Sequence, residues 1–155
     1  MMSAGFASVT GLALSGLYAA WSDLRSRRLS NELCLIVAAT GIALGFWFGG
    51  MALASSAALH GLIALAIGAA VFAFGGLGGG DAKYYAAVAC WFELGRAVTL
   101  LAMVSLAGLV LASGWLLALR MGAMSGADQT NDRRVKVPFG IAIAVGAVLA
   151  AGSAP

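Results

Sequence analysis

Residues 97–119 run for 23 positions without a charged side chain. No other property of the chain restricts its fold as much, because the hydrocarbon core of a bilayer takes about 20 apolar helical residues to cross. Other predominantly apolar runs lie at 3–21, 33–49, 57–74, 81–94 and 138–154. Backbone groups in lipid must pair within their own segment, so each run is expected as a helix. Composition agrees: 62% of the 155 residues are apolar and 10% are charged, too few polar groups to cover a soluble domain of this size. The expectation is an all-α, polytopic membrane protein, a single domain over residues 1–155 with six spans. The run "DAKYYAAVACWFEL" (81–94) is short for a span, and the last one opens with Pro138 in the tolerated first-turn position.

Basic residues orient the frame. Arg25, Arg27 and Arg28, Lys83, and Arg120, Arg133, Arg134 and Lys136 fall on one side of six spans, and only Arg96 falls on the other. The positive-inside bias makes the first side cytoplasmic and sets the N-terminus outside. No basic residue precedes the first span, so it does not read as a cleavable signal peptide. Trp21, Trp47 and Trp91 stand near span ends, where the headgroup layer suits an amphipathic ring. Residues 120–137 form the one sizeable polar loop.

Few residues carry chemistry. Cys34 and Cys90 stand alone in apolar runs, without the spacing of a zinc site, and read as buried, inert thiols. His60, the only histidine, has no second ligand near it in sequence and reads as structural or interfacial. Gly41 and Gly45 permit close helix packing. Of the six acids, Asp128 and Asp132 belong to the polar loop and Glu93 to the turn "ELGR", where Arg96 offsets it. Glu32 opens the second span, where an acid suits the helix dipole.

Asp23 and Asp81 differ from these. Asp23 follows the first span in "WSDLRSRRLSN", and Asp81 closes the glycine run "GGLGGGDAKYY" (75–85). The topology sets both at the cytoplasmic boundary. Taken singly, Asp81 reads equally well as a helix N-cap, and Asp23 as an interfacial charge beside Arg25 or Arg27. Together they form a pair of carboxylates able to share a proton, activate a water and protonate a leaving amine. Asp81 begins a helix and Asp23 ends one, which favours Asp81 as the base and Asp23 as the acid. The glycine run is no phosphate loop, since it lacks GK[ST] and breaks GxGxxG spacing. It offers backbone free of Cβ atoms, against which an extended peptide can lie.

"GGGDAK" (78–83) fits a GxGD motif followed by lysine, and "DLRSRRLSN" (23–31) resembles the DxxxxxxPN-type element of type IV prepilin peptidases. "VPFGIAIAVG" (137–146) is similar to that family's last-helix signature. The resemblance implies an inner-membrane aspartic endopeptidase that removes the short basic leader of prepilins on the cytoplasmic side. By position it makes Asp23 and Asp81 the catalytic pair, with Gly78 and Gly80 shaping the loop and Lys83 and Asn31 supporting the site. Glu32 is a candidate contact for the basic leader. Two departures stand out. Ser30 replaces the usual proline, which loosens that turn, and the long cysteine-rich loop of the methylating members is missing, so no methyltransferase activity is expected. The compact form looks like the tight-adherence branch, which processes small Flp-type pilins and pilin-like proteins. Expected partners are those substrates and membrane lipid, with no nucleic acid, cofactor or metal. The rival readings are a small proton- or cation-coupled transporter and a non-catalytic pilus-assembly subunit.

Overall fold

The computed structural model describes residues 9–18, 30–120 and 139–153. Every regular element among them is helical: α1 (Val9–Tyr18), α2 (Asn31–Ala73), α3 (Gly79–Ala89), α4 (Ala97–Arg120) and α5 (Phe139–Gly152), with a 3-10 turn over Leu94–Arg96. Two stretches, Asn31–Ala73 and Leu94–Ala118, are long and apolar enough to cross a membrane. Large apolar side chains such as Trp47, Met51, Leu62, Val98 and Leu109 point outward. Water would drive such a surface to associate, whereas lipid tails are its natural surroundings. The chain is a membrane protein.

The 43 residues of α2 are two arms rather than one rod. Gly50 leaves the helical region with φ 66° and ψ −160°, a conformation that glycine alone adopts easily. The chain reverses there. The position a Cβ would take at Gly41 lies 2.8 Å from the Cys90 carbonyl oxygen, and the same position at Gly61 touches the Cys90 sulfur. Twenty residues of straight helix would hold those glycines about 30 Å apart; here both meet one residue. Near the bend, Gly45 approaches the Ala54 backbone. The sequence suggests a link over residues 50–56; in the structure 51–56 are helical and Gly50 makes the turn.

α3 fills the centre. It starts two residues before the expected span and ends at Ala89, five residues short of it. Ala82, Tyr84 and every residue from Ala86 to Cys90 are buried. Gly68 admits Ala82 of α3 at 3.1 Å from its own Cβ position, so α3 lies in the cleft of the α2 arms through glycine contacts. α4 and α5 run antiparallel: Gly146 lies against Val104, while Gly108 meets Phe139 and Ala142. The largest fully buried side chains, Leu12, Tyr84, Val88, Leu100 and Ile143, come from α1, α3, α4 and α5.

The turn after α3 is tied down by polar bonds that the apolar surroundings make costly to break. Trp91 Nε1 donates to the Val37 carbonyl at 2.8 Å, and Leu94 N–H donates to Ser56 Oγ at 3.0 Å. His60, buried, has its Nδ1 3.0 Å from the Phe92 carbonyl oxygen and is structural as expected. Arg96 donates to the Ala150 carbonyl at 2.6 Å and lies over the Phe92 ring. It closes the end of α5 instead of offsetting Glu93, because those carbonyls lack helical partners of their own. Trp91 also departs from its expected headgroup setting. Its ring is packed between Gly11 and Gly41, whereas Trp47 is 81% exposed, as an interfacial ring should be. Cys34 and Cys90 are both buried, free thiols.

Candidate active site

The glycine run is a helix stop joined to a helix start. Gly75 takes φ 75°, its N–H donates to Phe72 O at 2.9 Å, and Gly76 N–H reaches back to Val71 O at 3.0 Å. This pair of bonds is the Schellman ending, in which a left-handed residue satisfies the last carbonyls of a helix. Gly78 is extended (φ −69°, ψ 138°) and is the N-cap of α3, while Gly79 and Gly80 are already helical. Gly78 is thus the extended backbone just before Asp81's helix, and the run forms no strand of its own. Left-handed backbone lies at Gly75 and not at Gly80. Asp81 is not the N-cap either. It is the third residue of α3, in the first turn, where the dipole favours a negative charge.

The carboxylate of Asp81 folds back over the start of its own helix. Its Oδ2 lies 2.7 Å from where a Cβ would stand at Gly78, so this glycine keeps room for the acid. At Gly79 the nearest neighbour is the Phe72 ring, at 3.3 Å. Asp81 and Gly80 are half-buried, and Gly78 is exposed.

Lys83 and Asn31, far apart in sequence, meet: Lys83 Nζ donates to Asn31 Oδ1 at 3.0 Å. This bond ties the first turn of α2 to α3 beside Asp81. Ser30 prepares that turn. Its hydroxyl accepts Leu33 N–H at 3.2 Å, and its φ of −68° is the value a proline ring would impose. The exchange of proline for serine thus leaves the turn capped rather than loosened. Glu32 follows in the first turn of α2 and is exposed. Asp23 lies outside the described residues, as do Trp21, Asp128 and Asp132.

One face of α3 looks at α1. Gly11 of α1 receives the Trp91 ring, with Cζ3 2.8 Å from its Cβ position, and Gly16 lies 3.9 Å from the Tyr84 hydroxyl by the same measure. The two helices are therefore antiparallel, and α1 runs toward the Asp81 end. Asp81 precedes Tyr84 by three residues and shares its face. Tyr84 was not singled out in the sequence, although its spacing from Asp81 carries that signal. No group of three or more metal-ligating side chains forms among the described residues.

A sequence profile of the type IV leader peptidase family matches residues 11–113, well over half of the chain. The chain belongs to that family. The matched interval of this leader peptidase takes in Asp23, Asn31, Gly78, Gly80, Asp81 and Lys83, and ends within α4, before the α5 signature. No curated protein and no solved structure matches the chain.

Proposed function

We propose that this leader peptidase is an aspartic endopeptidase of the cytoplasmic membrane, with Asp23 and Asp81 as its catalytic pair. The observation that carries the reading is the docking of α1 on the α3 face that bears Asp81. Asp23 follows the last described residue of α1, Tyr18, by five positions, at most about 18 Å of extended chain. An acid so placed has Asp81 within reach. In the reaction, Asp81 takes a proton from water as the water oxygen attacks the scissile carbonyl carbon. Asp23 gives its proton to the amide nitrogen as the C–N bond breaks. Asp81 is suited to the base role by its first-turn position, and the pair titrates jointly.

The substrates in this reading are type IV prepilins and pilin-like proteins of the small Flp class, cut at the cytoplasmic face after a short basic leader. Glu32, exposed beside Asn31, is the acid best placed to meet a basic leader, and Glu32→Gln should raise KM for a basic-leader peptide. Gly78 and Gly80 shape the start of α3, and the Lys83–Asn31 bond holds α2 against it.

Cleavage of a co-expressed pilin precursor tests the reading. Asp23→Asn and Asp81→Asn should each abolish it, and the double variant should be no worse, because residues acting as a unit are not additive. Asp128→Asn and Asp132→Asn should stay active. Substantial activity in either of the first two variants removes that residue from the mechanism.

A further inference from the structure

The start of α3 has two unlike neighbours, both from α2. One is the beginning of that helix, where Asn31 Oδ1 accepts from Lys83 Nζ and Glu32 is exposed. The other is its end, where Gly68 meets Ala82 and the Phe72 ring rests on Gly79. The reversal at Gly50 thus brings a polar, acidic helix end and an aromatic one to the same acid, Asp81. Phe72 is both held and open. Its nearest ring carbons lie 3.3–3.5 Å from the Cβ position of Gly79, yet 55% of the residue is exposed. Phe74, by contrast, is 92% exposed and has hardly any protein contact.

Ring and carboxylate are close neighbours. Asp81 Oδ2 stands by the Cβ position of Gly78, and the ring by that of the adjoining Gly79. Adjacent Cα atoms are about 3.8 Å apart, so at most about 13 Å separates the two groups. An extended peptide advances roughly 3.3–3.6 Å per residue, and a chain cut at Asp81 reaches the ring within about four residues. Resting on the aspartate-pair reading, we propose that Phe72 is a specificity-determining residue. It receives an apolar side chain of the substrate within about four residues beyond the scissile bond. The direction follows from charge: a basic leader drawn to Glu32 leaves the C-terminal side of the cut for the aromatic end. The ring offers a flat apolar face, and its support on Gly79 fixes that face before the substrate arrives. A polar side chain placed there would lose water and gain no partner from the ring.

The test uses the full-length protein in proteoliposomes and a set of basic-leader precursors, with thermal unfolding of each variant alongside. Leucine or serine occupies in turn each of the first four positions after the scissile bond. At one of those positions the wild type should prefer leucine by about tenfold or more in kcat/KM, the low end of what an apolar pocket achieves. Phe72→Ala and the bulkier Phe72→Gln should each cut that preference to within about twofold, chiefly by raising KM for the leucine precursor. Phe72→Leu should retain most of it. Glu32→Gln should raise KM for all precursors alike, and Phe74→Ala should leave the preference intact. A wild type without preference at any of the four positions overturns the proposal, as does a preference that survives Phe72→Ala. An equal loss in Phe74→Ala also overturns it, since the aromatic end would then be a lipid anchor only. Failure of the wild type to cleave any precursor, or cleavage by Asp81→Asn, strikes instead at the aspartate-pair reading, and this proposal falls with it.

Discussion

Replacing Gly78 by alanine separates the site from the fold. The backbone there (φ −69°, ψ 138°) is open to any residue, so alanine meets no conformational barrier. As an N-cap, alanine is inferior to glycine, at a cost of up to about 1 kcal/mol. The new methyl group, however, would stand 2.7 Å from Asp81 Oδ2, while ordinary contact begins at 3.4 Å. The carboxylate must therefore retreat by about 0.7 Å, or rotate away altogether. Since a 1 Å error in a reacting group can cost about a hundredfold, Gly78→Ala should reach normal levels in the membrane yet cleave a pilin precursor at least about tenfold more slowly. Gly79→Ala is the matched control, because its methyl group meets only the Phe72 ring at 3.3 Å, which can yield by a tenth or two of an ångström. Initial rates from proteoliposomes at saturating precursor decide the matter. Full turnover by Gly78→Ala would refute the reasoning, and so would equal losses in both variants.

Three further outcomes follow from other contacts. Gly41→Ala and Gly61→Ala should each lower thermal stability in detergent by about 1–3 kcal/mol through overpacking. Cys90→Ala should restore most of the Gly61→Ala loss and little of the Gly41→Ala loss, because Gly61 meets the Cys90 sulfur while Gly41 meets the Cys90 backbone and the Trp91 ring; equal rescue would contradict this packing. Ser30→Ala should cost about 1 kcal/mol of stability by removing the cap, whereas Ser30→Pro, which suits the observed φ of −68°, should keep cleavage activity; an inactive Ser30→Pro would show that the hydroxyl is needed for more than the turn. In a background with Cys34 and Cys90 replaced by alanine, Asp81→Cys should react with a hydrophilic maleimide from the cytoplasmic side more slowly than Ser125→Cys. Labelling only from the opposite side would overturn the orientation.

The sequence revealed where helices lie more clearly than what surrounds them. Apolar runs located each helix, and an acid closing a glycine run located the start of α3. Sidedness was harder to read, because a helix facing lipid is apolar on both its buried and its outer surfaces. Trp47 and Trp91 look alike at the ends of their runs, yet one ring is 81% exposed and the other is wedged between two glycines. The reversal between the runs 33–49 and 57–74 was legible, but its narrowing to Gly50 was not, since a left-handed glycine has the same composition as a helical one. Arg96 misled for a related reason: its nearest acid in sequence is Glu93, but the Ala150 carbonyl near the end of α5 lies within its reach. For the candidate site, the pairing of Lys83 with Asn31 was foreseen only as a shared supporting role. The crowding of Gly78 by the Asp81 carboxylate depends on a side-chain rotamer that no spacing rule encodes.

The burial of α3 changes what the membrane means for this protein. Eleven helical residues rise about 16 Å, roughly half of the hydrocarbon thickness, and would be a severe mismatch for a helix bathed in lipid. α3 instead has protein as its solvent. Its C-terminal end is moored to both arms of α2, and the turn beyond it to the end of α5. The level of Asp81 is then a dimension of the protein, measured from that mooring along a rigid rod. Lipids of different chain length can stretch or tilt the outer helices without acting directly on that rod. An enzyme built this way carries its own ruler and can work at the same depth in thin and thick membranes alike.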